Sequence, residues 1–142
     1  MFRLFTCLGF TLALTIISPA IVNAQSATLQ PVEIAVESDL GEDIKLAISD
    51  RFTTPIEELE LHYTVRVSDY VLAFWQHVHT AGVVFLQWSD PFEEWEVVGG
   101  TGGVPDVNNA IVLGVPTDVA PVLIGAMDEY LRRQDLEATD EQ

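Results

Sequence analysis

The sequence predicts an α+β domain, a four-stranded antiparallel meander packed with an N-terminal and a C-terminal helix. Three observations predict it. Between Glu60 and Val98 apolar residues recur with period two and supply both faces of a sheet. Short polar or glycine-bearing stretches cut that run into four. On either side of it, apolar residues recur at spacings of three and four, the mark of a helix with one buried stripe. A sheet curled over a helix in this way has a cystatin-like architecture, an analogy of layers alone.

Met1–Ala24 has the pattern of a secretory signal peptide. Arg3 gives the positive start, Leu4–Ile17 is an apolar run too short for a permanent anchor, and Val22-Asn23-Ala24 fits a cleavage site. Cys7 is the only cysteine and leaves with this segment, so the mature chain has no disulfide, thiolate metal site or cysteine nucleophile. What remains is a single domain over residues 25–134, then an acidic tail, 135–142, expected to be disordered. No integral membrane segment is expected after cleavage.

Pro31–Glu37 alternates apolar and polar residues and reads equally as an edge strand or as the lead-in to a helix. Asp39 and Glu42 have capping-box spacing, and Leu40, Ile44, Ala47, Ile48 and Phe52 then share one helical face. Thr53-Thr54-Pro55 ends that helix. In the meander, a turn at Ser68-Asp69 sets Val67 opposite Tyr70 and His62 opposite Trp75. A turn at Ala81-Gly82 sets Trp75 opposite Trp88 and His77 opposite Leu86. With matching parity, Trp88 meets Trp95, and Trp75, Trp88 and Trp95 form one cross-strand row ending at His62. The same register brings Glu60 opposite His77. Gly99–Pro105 then reads as a long mobile loop. It makes a poor phosphate cradle, since no Lys or Ser/Thr stands where a P-loop needs one. Ala110–Val115 is apolar enough to tuck against the sheet. Thr117 or Asp118 caps the closing helix, whose stripe is Val119, Val122, Leu123, Ala126, Met127 and Tyr130.

The run from Tyr70 to Trp75, the stretch Ala81–Trp88, Trp95-Glu96-Val97-Val98 with its glycine cluster, and Leu113–Pro116 resemble a loose group of small, uncharacterised secreted bacterial proteins of cyanobacterial kind. In that group a Trp-x-Val-Val motif, a glycine cluster and Gly-Val-Pro precede a short helix. The resemblance covers roughly residues 60–125 and implies export. It implies no catalytic residue.

There are 22 acidic residues against 6 basic ones, a net charge of −16. Such a field opposes binding to nucleic acid and to anionic membranes, and favours divalent cations or basic partners. A merely solvated acidic surface is the simpler account. No Gly-x-Ser-x-Gly is present. Glu93, Glu94 and Glu96 lie in and after a turn with no second acidic group placed opposite, so they read as a solvated turn before a glycosidase pair. His77-Val78-His79 is the sharpest chemical signal. On a strand, residues two apart project to one face roughly 6.5–7 Å apart. With His62 or Glu60 closing the site, His77 and His79 could hold zinc or copper. The tryptophans read first as core beneath a helix and second as a binding platform. The leading expectation is a secreted or periplasmic acidic, non-enzymatic binding or accessory domain, whose partner is a protein or a cell-envelope component. A periplasmic zinc- or copper-binding protein is the alternative, and a small hydrolase stands third.

Overall fold

The computed structural model describes residues 28–140. The expected signal peptide, Met1–Ala24, lies outside them. The chain forms an α+β domain around an antiparallel sheet of five strands, not four, in the sequential order β1-β2-β3-β4-β5. The added strand is β1, Val32–Glu33, which pairs with β2 at Val32↔Arg66 and Glu33↔Val65. Its two residues settle the open choice at Pro31–Glu37: a brief edge strand, then a turn into the helix.

Helix α1, Asp39–Phe52, is capped by Ser38, whose Oγ accepts from the Gly41 amide at 3.1 Å. The cap thus sits one residue before the expected Asp39. Thr53 closes the helix in the left-handed region, φ 53°. A 3-10 turn, Ile56–Glu58, leads to β2, Leu59–Val67. Strands β3, Tyr70–His77, β4, Thr80–Ser89, and β5, Glu94–Thr101, complete the meander. Helix α2, Val107–Val112, is opened by a reciprocal pair in which the Asn109 amide donates to Asp106 Oδ1 and the Asp106 amide to Asn109 Oδ1. Helix α3 runs from Ala120 to Asp140, carrying on through residues expected to fray. Among the described residues no helix is long and apolar enough to cross a membrane.

Both faces of the sheet are covered, which is why Val83, Val84, Phe85 and Leu86 are all buried in succession. On one face Ile44 and Ile48 of α1 pack on Leu61, Val71, Ala73 and Leu86. On the other, Val119, just before α3, and Leu123 and Met127 of α3 pack on Val65, Leu72 and Phe85. Burying a large aliphatic side chain contributes about 1.5–3 kcal/mol, so each helix is held by its stripe.

Two bulges set which residues reach which face. In β2, Tyr63 pairs with Phe74 and Leu61 with Trp75, leaving His62 as the extra residue. Leu59 and Leu61 consequently lie on the α1 face, whereas Tyr63, Val65 and Val67 lie on the α3 face. In β5 the extra residue is Val98, between Val97, opposite Leu86, and Gly99, opposite Phe85.

Candidate functional site

The expected register fails at two places, and with it the grouping of the histidines. The turn between β3 and β4 falls at Val78-His79 instead of Ala81-Gly82, so His77 pairs with Thr80 and Trp75 with Gly82. Gly82 is needed inside the strand, because a Cβ there would stand 2.6 Å from the Thr101 carbonyl oxygen. His79 is therefore an exposed turn residue, and the His-x-His spacing does not lie on a strand. His77 pairs with Leu59, not Glu60, which places it on the α1 side, where its Nε2 is 2.8 Å from Glu58 Oε2. The bulge turns His62 to the opposite side: its ring lies 5.2 Å from that of Phe74, and its Nε2 meets Gln76 Oε1 at 3.1 Å. Glu60, opposite Gln76, is exposed on that side too. The sheet thus separates His77 from His62 and Glu60. Among the described residues no three His, Cys, Asp or Glu side chains gather as a metal would need.

The tryptophan row is also divided. Trp88 does pair with Trp95, their rings meeting edge to face at 5.5 Å and 65°. Trp95 is 6 % exposed, and the Arg66 guanidinium stands 5.3 Å from its ring centre. Trp75, 5 % exposed, belongs to the same face but stacks on Phe52 at the C-terminal end of α1, 5.1 Å away. Two indoles are therefore core, while Trp88 is only half buried.

These side chains frame a trough along the flank of α1 beside β5. Its larger hollow, about 550 Å³, lies between Asp43, Leu46 and Asp50 of α1 and Trp88, Trp95 and Glu96 of the β4–β5 hairpin. Glu93 and Glu94 stand at its rim. A second hollow of about 350 Å³ adjoins it, sharing Arg51 and Val97, with Phe52 and Trp75 as a wall and Gly82 and Gly100 in its lining. Gly100 lets β5 pack close on β4, since a Cβ there would come within 2.9 Å of Val84 Cγ1. The glycine cluster expected to be a loop is thus in part strand β5, where it supplies close packing.

The trough is concave, aromatic and acidic: Asp43 and Asp50 of α1 and the acidic residues Glu93, Glu94 and Glu96 of the hairpin contribute to its lining, with Arg51 as the one basic residue among them. That suits a cationic ligand with apolar surface. The Ser38 and Ser49 hydroxyls both donate to backbone carbonyls, and the side-chain partners of His62 and His77 are Gln76 and Glu58. Sequence reasoning named Trp75, Trp88, Trp95 and the Glu93–Glu96 turn but missed Asp43 and Asp50. Their polar positions on an amphipathic helix carry no mark of what they will face.

A third hollow, about 430 Å³, lies on the other face between β1 and α3. Tyr63 stacks there on Tyr130 at 4.3 Å and donates its hydroxyl to the Ala126 carbonyl at 3.3 Å. Burial, and then the Glu33 carboxylate, push the Tyr63 phenol up to about 12. Tyr130 is raised by the same two causes. No known family model, curated protein or solved structure matches the chain.

Proposed function

We propose that the protein is an exported, acidic, non-enzymatic binding domain that recognises a protein or cell-envelope component through the α1–β5 trough. The observation that carries this reading is the trough itself, an aromatic hollow to which both α1 and the β4–β5 hairpin contribute acidic residues. Export rests on the Met1–Ala24 pattern. A surface of this kind binds through a few desolvated aromatic anchors ringed by charge, which sets partner choice.

The test is site-specific photo-crosslinking in cells that make the protein. A crosslinking side chain replaces Leu46, which is 51 % exposed in the trough, or Asp128, exposed on α3. Adducts of one defined mass from position 46 and none from 128 are expected. Equal adducts from both positions, or none from 46, would remove the trough as the recognition surface.

A further inference from the structure

The trough runs beside an open sheet edge. Strand β5 pairs with β4 from Ser89↔Glu94 to Val83↔Thr101, and among the described residues no strand lies on its outer side. The groups it points outward follow from one hydrogen bond. The Trp88 amide donates to the Asp69 carbonyl at 2.9 Å, on the β3 side, so Trp88 turns its backbone polar groups away from β5. Opposite residues of an antiparallel pair exchange both of their bonds or neither. Trp95, opposite Trp88, therefore directs its N–H and C=O to the open edge, as does Val97, opposite Leu86. The Val98 bulge ends this short ladder.

The residues with outward backbone are the same ones whose side chains line the trough. A chain laid along Trp95–Val97 would gain main-chain hydrogen bonds and send alternate side chains over the trough, toward Asp43 and Asp50. Its intervening side chains would leave by the other face, the side taken by Glu94 and Glu96 from their parity with Trp95.

We infer that the outer edge of β5 takes up an extended, lysine- or arginine-rich segment of a partner polypeptide as an added strand. The inference rests on the trough being the recognition surface and names what that surface recognises. Charge selects the occupant. A second copy of this chain, itself at −16, would bring its own Glu94 and Glu96 against the same acidic edge. A basic segment meets carboxylates on both of its faces.

The experiment is calorimetric titration of the mature chain with an alternating lysine–valine peptide of about ten residues, long enough to pass the ladder. Three comparisons accompany it: the glutamate–valine counterpart, the lysine peptide N-methylated on alternate amides, and the Val97→Pro variant. Proline at position 97 removes an N–H that points away from β4, and proline is tolerated at sheet edges for that reason. The lysine peptide is expected to bind and the glutamate peptide not to bind. N-methylation or Val97→Pro is expected to weaken binding about tenfold, as loss of one or two backbone bonds does. Asp43→Asn with Asp50→Asn should weaken it further and flatten its dependence on salt.

No binding of the lysine peptide overturns the inference. So does equal affinity of the methylated peptide for the wild-type chain, which would leave charge alone. That comparison does not depend on the proline variant folding. If Val97→Pro folds and still gives the adduct from position 46, strand addition fails while the trough stands. If position 46 gives no adduct, the recognition surface itself fails.

Discussion

The two edges of the sheet are guarded by different means. At β1 the exposed strand is two residues long, follows Pro31, and is tied to α3 by the ion pair of Glu33 with Arg133 at 3.1 Å. At β5 the strand has eight residues, with Glu94, Glu96 and the Val98 bulge as its protection. Shortness and proline deny any incoming strand a ladder, whereas like charge denies only a strand of the same sign. The difference teaches that β1 offers an incoming strand almost no ladder, whereas β5 leaves a longer one guarded mainly by charge.

Breaking the β5 side should have the largest effect. Trp95→Ala removes a buried ring that holds the edge strand beneath α1, and should cost about 3–5 kcal/mol in denaturant unfolding. A cost well under that would show that α1 does not depend on the indole. The β1 side should respond next, through pH. The Tyr63 phenol is raised above its unfolded value of 10, so its contribution is whole below pH 10 and is lost as pH climbs through about 12. Solvent screening of the partly exposed hydroxyl keeps that loss to about 1 kcal/mol. Ultraviolet titration of the phenols beside thermal melts checks it: Tyr63→Phe should lose less stability over this range than the wild type, the remainder coming from Tyr130. Smallest of all, Arg133→Ala should leave the melting temperature nearly unmoved, because the pair with Glu33 lies in solvent. Its mark should be local, with faster hydrogen exchange at the Ile34 amide, which donates to the Thr64 carbonyl at 2.8 Å.

Strand and helix were legible wherever the apolar pattern is set by burial alone. The apolar residues between Glu60 and Val98 announced a sheet with two apolar faces, and the stripe from Val119 to Tyr130 announced α3. The Ser68-Asp69 turn was legible as well, with Ser68 at φ 54°. Turns and registers set by contacts distant in sequence were not. Val78-His79 has no turn chemistry of its own, and Ala81-Gly82 has it, yet Gly82 serves close approach to the Thr101 carbonyl. Gly99 likewise lies in strand because a Cβ there would stand 2.8 Å from Leu113 Cβ. The site followed suit. Its indoles and the Glu93–Glu96 turn were visible in sequence, but Asp43 and Asp50 became part of it only when α1 settled beside β5.

The extra residue in β2 behaves as an insertion that the fold has absorbed. Without His62, Tyr63 would follow directly on Leu61 in a regular ladder, Leu61 still opposite Trp75, and every side chain of the strand would keep its present face. Removing Thr64 instead would put the residues on one side of the gap onto the wrong face. Position 62 is thus a place where the chain can change length by one residue without changing its core. A histidine there is free to vary in ways that its neighbours Leu61 and Tyr63 are not.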